Sequence, residues 1–261
     1  MQRYKKIIGI ILVVILGIAA IVFMNSANDI ENDIETEELQ SDKTQTEEIM
    51  QEARIPELEA GVNIHELENE IFEVLGPESV AITTNRSSGS GILWQYDGKR
   101  LVVITTKHLM EEAESGELEL WTGEKVTFSM EDIYVSEEED LAVINILCEK
   151  KLKSEKGGVV NYLTEETPEI GSMLWVIDSV YGAASGIGTC SVASGEVFLE
   201  DYGTEMLLLY GEGKSGMSGS PMYDASGRLV AMMSGMSEDE TTLTAVLAPK
   251  IMGFLESLQF D

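Results

Sequence analysis

Gly216-Met217-Ser218-Gly219-Ser220-Pro221, with Gly211 and Gly213 just upstream, is the stretch on which the reading of this chain turns. A serine between glycines lies where backbone can approach a bound molecule without a Cβ in the way. The same residues leave backbone N–H groups free, and two N–H groups aimed at one point can hold a developing oxyanion. A serine hydroxyl is a poor nucleophile near neutral pH. It needs a neighbouring base, and that base needs a third group to orient it.

The chain holds two histidines, so a histidine base is His65 or His108. His65 sits among glutamates beside an acidic stretch and reads as a surface helix residue. His108 ends Leu101-Val102-Val103-Ile104-Thr105-Thr106-Lys107, an apolar strand turning polar at its tip, which is how a rigid scaffold presents a general base. Asp140 opens Asp140-Leu141-Ala142-Val143-Ile144-Asn145-Ile146, another apolar run, after Glu137-Glu138-Glu139. At the mouth of a buried strand its carboxylate is shielded enough to hold the imidazole N–H. The three glutamates before it read as solvated.

Outward from these residues the texture is β. Short β-prone runs separated by polar turns cover Ser79–Thr84, Gly91–Tyr96, Arg100–Thr106, Glu117–Trp121, Lys125–Met130 and Asp140–Leu147. After the charged, glycine-ended break Lys150–Gly158, a second set covers Val159–Leu163, Ser172–Ile177, Thr189–Phe198, Glu205–Tyr210, Gly219–Tyr223, Arg228–Met233 and Thr242–Leu247. The spacing predicts an all-β domain of two six-stranded antiparallel barrels. A helix over Ile64–Leu75, stopped by Gly76-Pro77, precedes them, and an amphipathic helix over Pro249–Phe260 follows.

The amino-terminal quarter is different material. Arg3, Lys5 and Lys6 precede an uncharged apolar run, Ile7 to Met24, about 27 Å long as a helix and close to a bilayer's hydrocarbon thickness. Cations before it and acids after it orient the amino end toward the cytoplasm. The expected organisation is a basic tail over 1–6, a single transmembrane anchor over 7–24, an acidic extracytoplasmic linker over 25–66 and a folded domain over 67–261 in the extracytoplasmic space. The linker is rich in Asp and Glu, has no aromatic residue and no apolar period, and cannot bury enough surface to fold by itself.

A net charge of −30 repels phosphates and argues against a nucleic-acid partner. No Cys/His cluster has zinc spacing, so no metal or other cofactor is expected. Cys148 and Cys190 are too few for a disulfide framework, and whether they pair is open.

Thr105-Thr106-Lys107-His108, Asp140-Leu141-Ala142-Val143 and Gly216-Met217-Ser218-Gly219-Ser220-Pro221 together resemble the signatures of trypsin-like (chymotrypsin-fold) serine proteases. They are most similar to the bacterial HtrA/Deg and glutamyl-endopeptidase-like branches. Ser191-Val192-Ala193-Ser194-Gly195-Glu196-Val197 and Leu243-Thr244-Ala245-Val246-Leu247-Ala248-Pro249 also resemble strands of that group, so the likeness spans about residues 67–261. The resemblance implies hydrolysis of a protein or peptide substrate through an acyl-enzyme. Ser218 would be the nucleophile, His108 the base and then the acid, Asp140 the orienter, and the N–H groups of Gly216 and Ser218 the oxyanion hole.

It also implies that Glu212, six residues before the serine, lies at the base of a side-chain pocket suited to a basic residue. Ser234 and Gly235, between two methionines, would form the pocket wall. Met217 departs from the Asn or Asp usual at its position, so activation by a salt-bridged new amino terminus is not expected. Ser220 fits the glutamyl-endopeptidase-like pattern better than the HtrA one. No PDZ module is expected after the protease domain. An alternative reading follows from Met217: a protease-fold ectodomain that binds or senses without cleaving.

Overall fold

The computed structural model describes residues 64–148, 151–153, 163–164 and 166–258. The expected anchor over 7–24, the linker up to residue 63, and all of the break Lys150–Gly158 except residues 151–153 lie outside them. No helix among the described residues is long and apolar enough to cross a membrane.

Helix α1 (Ile64–Leu75) is the predicted amino-terminal helix. It ends where a short turn, Gly76–Glu78, with proline in its first positions, leads into the first sheet. That sheet contains β1 (Ser79–Thr84), β2 (Ser88–Tyr96), β3 (Arg100–Thr105), β4 (Ser115–Glu119), β5 (Lys125–Ser129), β6 (Ile133–Val135) and β7 (Ala142–Leu147). Its order is β5-β4-β1-β2-β3-β7-β6, antiparallel throughout. Only the turn Met130–Asp132, capped reciprocally by Ser129 and Asp132, separates edge strand β5 from edge strand β6. The sheet therefore comes within one turn of closing on itself.

The second half forms a closed barrel of β8 (Met173–Asp178), β9 (Gly186–Leu199), β10 (Thr204–Gly211), β11 (Pro221–Tyr223), β12 (Leu229–Met236) and β13 (Thr242–Leu247), in the order β10-β13-β12-β11-β8-β9. The expectation of two six-stranded barrels thus holds for this half. It is corrected for the first half, which is a seven-stranded, nearly closed sheet. The extra strand is β6, three residues long and too short to carry a visible alternation. From the predicted run Val159–Leu163, the described residue Leu163 makes a single parallel bridge to Leu229.

Three apolar clusters explain why these strands form. One fills the first sheet, with Val80, Leu101, Val103, Leu118 and Ile144. A second fills the barrel, with Val176, Val192, Leu207, Leu209 and Leu243. The third joins the two halves, with Ile92, Val102 and Ile104 against Ile177, Met206, Tyr223 and Met232. Strand β3 feeds two of them: Leu101 and Val103 point into the sheet's own core, Val102 and Ile104 into the join. A strand buried on both faces reads as an unbroken apolar run, as Leu101–Ile104 does. Helix α3 (Ala248–Ser257), the predicted terminal helix, seats Ile251 and Leu255 on the joining cluster. Cys148 and Cys190 are free thiols, the first packed against the sheet's core and the second buried in the barrel's.

Candidate active site

His108 leaves β3 on a single helical turn, α2 (Lys107–Met110). Leu109 and Met110 are buried, which fixes the turn and presents the imidazole, with the His108 side chain 46% exposed. Asp140 precedes β7 and is buried. Its Oδ2 lies 2.8 Å from His108 Nδ1, and its Oδ1 accepts the His108 backbone N–H at 3.0 Å. The Ser234 hydroxyl also donates to Asp140 Oδ2. Burial alone would raise the Asp140 carboxyl. The hydrogen bond and charge of His108, with the bonds from Ser234 and the His108 N–H, hold it below the ordinary carboxylate value.

The loop preceding Asp140 is built by its own hydrogen bonds. Ser136 Oγ accepts the N–H groups of Glu138 and Glu139, and the Ser136 N–H donates to Leu141 O. Glu137 and Glu138 are exposed, as the sequence suggests. Glu139 is not solvated. Its carboxylate pairs with Lys250 Nζ at 3.0 Å and accepts the Thr204 hydroxyl at 2.9 Å, linking the Asp140 loop to α3 and to the start of β10. A charge run conceals this, because Lys250 is distant in sequence.

Ser218 lies in the second of two consecutive turns that share Met217. Met217 N–H donates to Lys214 O at 3.2 Å with Gly216 at φ +94°, and Ser220 N–H donates to Met217 O at 2.9 Å with Gly219 at φ +91°. Neither Ser215 nor Ser218 has a positive φ, so each turn has the glycine-requiring geometry of type II. At Gly219 a Cβ would overlap Ser90 O and come within 2.7 Å of Thr105 Oγ1, so the residue must be glycine on two counts. Met217, between the turns, is 5% exposed and belongs to the barrel's core, with its sulfur accepting the Lys214 N–H at 3.2 Å. Where an acid would anchor the loop by charge, this side chain anchors it by packing.

Among the described residues, neither the Gly216 N–H nor the Ser218 N–H donates to a protein acceptor. Ser218 Oγ donates to Ser234 O at 3.3 Å, and among the described residues it has no hydrogen bond to His108. The structure therefore joins His108 to Asp140 directly, and joins Ser218 to both through Ser234.

Ser234 does more than the pocket wall expected of it. It stands at a register shift of β12 against β13, between Met233 and Gly235, so that its hydroxyl meets Asp140 and its carbonyl meets Ser218. A bulge of this kind leaves no mark in the residue pattern. At Gly235 a Cβ would overlap the Tyr202 hydroxyl, which also lies 3.1 Å from Thr244 Oγ1. Glu212 is exposed at the end of β10. The glycines on either side of it, Gly211 and Gly213, face Leu243, and Gly213 also faces Met236. The carboxylate expected at the base of a pocket is thus at the surface, while the glycines beside it face packed side chains, as alternation along the chain would place them.

A family model described as a trypsin-like peptidase domain matches residues 89–232, a span holding His108, Asp140 and Ser218. No curated protein matches the sequence. Among solved structures, the Rv3671c protease of M. tuberculosis H37Rv in its inactive form is similar, with a TM-score of 0.57 at 14% identity over 77% of this chain and 98% of that one. The HtrA-type protease AlgW with a tripeptide gives a TM-score of 0.59 at 17% identity, over 73% of this chain and 62% of that one. Deg5 gives 0.56 at 18% identity, over 74% and 94%. Likeness at these identities is likeness of fold.

Proposed function

Because the chain belongs to the family of trypsin-like peptidase domains, we propose that it is a serine endopeptidase working through Ser218, His108 and Asp140. The observation that carries the reading is the 2.8 Å contact of His108 Nδ1 with Asp140 Oδ2, beside a serine whose own N–H and that of Gly216 have no acceptor among the described residues. With Nδ1–H donated to Asp140, Nε2 is the free lone pair. Rotation of the Ser218 hydroxyl from Ser234 O toward Nε2 lets His108 take its proton as Oγ bonds to the substrate's carbonyl carbon.

The resulting oxyanion lies toward the N–H groups of Gly216 and Ser218, and losing one such donor typically costs about 3–4 kcal/mol of barrier. His108 then passes the proton to the leaving amine as the C–N bond breaks, and water repeats the sequence on the acyl-enzyme. Asp140 stays ionised and stabilises the imidazolium.

The domain is proposed to face the extracytoplasmic space on an anchor over residues 7–24, a reading supported by Arg3, Lys5 and Lys6 ahead of that uncharged run. Incubating the full-length chain with a library of internally quenched peptides tests the activity. Cleavage lost in both Ser218→Ala and His108→Ala is the expected result. A folded wild type that cleaves nothing would overturn it and favour a non-cleaving binding ectodomain.

A further inference from the structure

The Gly89-Ser90-Gly91 segment opens β2, and Ser90 at its centre has no exposed surface. It touches both residues whose N–H groups the proposed oxyanion hole needs. The Ser90 hydroxyl donates to Gly216 O at 3.0 Å, and the Ser90 N–H donates to Ser218 O at 2.8 Å. Each carbonyl is held from the first sheet while the N–H of the same residue has no acceptor among the described residues. The hydroxyl's lone pair takes the Ser179 N–H at 3.0 Å. With Gly216 O an acceptor and Ser179 N–H a donor, only one orientation of the Ser90 hydroxyl satisfies both.

The arrangement continues inward. Ser179 Oγ accepts the Ala184 N–H at 3.0 Å and lies 2.8 Å from the hydroxyl of Ser79 on β1. Val180, next along, lies 3.6 Å from where a Cβ on Gly216 would stand. Three segments therefore meet at Ser90: the first sheet, the loop between β8 and β9, and the turn carrying Gly216. The Ser90 carbonyl is itself held by Thr105 Oγ1 at 2.8 Å, two residues before the turn that bears His108.

We propose that Ser90 is a positioning residue for the oxyanion site, its hydroxyl fixing the Gly216–Met217 peptide and with it the Gly216 Cα from which the N–H projects toward the developing charge. The inference rests on the serine-endopeptidase reading and adds to it a residue that never touches substrate. Without the hydroxyl, the buried Ser179 N–H and the partly buried Gly216 O lose a shared partner, and the turn is free to find another arrangement. The two backbone bonds of Ser90 survive substitution, so the donor should be loosened rather than removed. The loss should then stay below the roughly 100- to 1,000-fold that follows removal of a donor outright.

The test compares full-length wild type, Ser90→Ala and Ser90→Thr on one internally quenched peptide that the wild type cleaves, and on a boronic acid of the same peptide, which mimics the tetrahedral anion. Ser90→Ala should lower kcat about 10- to 100-fold with KM within about threefold. Its boronate inhibition constant should rise by a matching factor. Ser90→Thr, which keeps a hydroxyl, should recover most of the rate. A folded Ser90→Ala with wild-type kcat, or one whose kcat falls while boronate affinity is unchanged, would overturn the inference and leave the endopeptidase reading intact. If Ser90→Ala does not fold, Ser90→Cys, similar in size with a weaker donor, is read by the same criteria. A folded wild type that cleaves no peptide overturns the endopeptidase reading, and this inference with it.

Discussion

Gly216→Ala separates the conformation of the nucleophile turn from its packing. The atoms nearest the Cβ it adds belong to Val180, at 3.6–3.8 Å, an ordinary contact distance. What it cannot accept comfortably is φ +94°. An L-residue in the left-handed region costs about 1–2 kcal/mol, so the substitution shifts the balance between this type II turn and its type I alternative by about 5- to 30-fold. Interchanging the two turns rotates the Ser215–Gly216 peptide by about half a turn. That rotation carries the Gly216 N–H away from where the proposed oxyanion forms.

Thermal or urea unfolding should accordingly show a loss of no more than about 2 kcal/mol. Peptide hydrolysis should lose about 3- to 15-fold in kcat if the two turns are balanced in the wild type, and less where the type II turn is strongly favoured there, well short of the roughly 100- to 1,000-fold cost of a missing donor. KM should hardly move. Gly219→Ala is the contrast, since there the Cβ overlaps Ser90 O, and the loop itself should fail. A Gly216→Ala protein with wild-type stability and wild-type kcat would refute the turn argument.

Other outcomes follow from the same geometry. Met217→Ala should lower unfolding stability by about 2–4 kcal/mol by emptying a core site, whereas Met217→Leu should cost less than about 1.5 kcal/mol; equal effects in urea melts would contradict anchoring by packing. Thiol titration of the native chain should modify Cys148 and spare Cys190, whose thiol burial pushes up to about 12, until denaturant is added; rapid native modification of Cys190 would contradict its burial. The lowered Asp140 value means a contribution to stability that is present above the unfolded carboxylate range, near pH 4, and is lost as pH falls through the folded value. Acid unfolding of Asp140→Asn should therefore show a shallower slope below about pH 4 than wild type, and identical slopes would count against the assignment.

The parts legible in the sequence are those whose burial has a period. Leu101–Ile104 and Ala142–Ile146 announce central strands because apolar neighbours cover both faces, and Gly76-Pro77 and Pro249 mark helix limits by backbone chemistry. The residues tying the site together are a different matter. Ser234 reads as a wall residue because its meeting with Asp140 depends on a register shift that no alternation encodes. Glu139 reads as one more solvated acid because its partner, Lys250, arrives from a helix more than a hundred residues away. Ser90 did carry a signal. A serine between Gly89 and Gly91 marks a place where another backbone comes close, and a Cβ at Gly89 would indeed stand 3.0 Å from Ser218 O. The sequence offers that closeness without saying which backbone it is.

The most direct trial of the account is covalent. The folded full-length chain is incubated with a fluorophosphonate, digested, and its peptides are mapped by mass. A single adduct on Ser218, absent from His108→Ala and strongly reduced in Asp140→Asn, is the predicted result. An unlabelled Ser218 in the folded wild type, or an adduct whose rate is indifferent to His108, would contradict it.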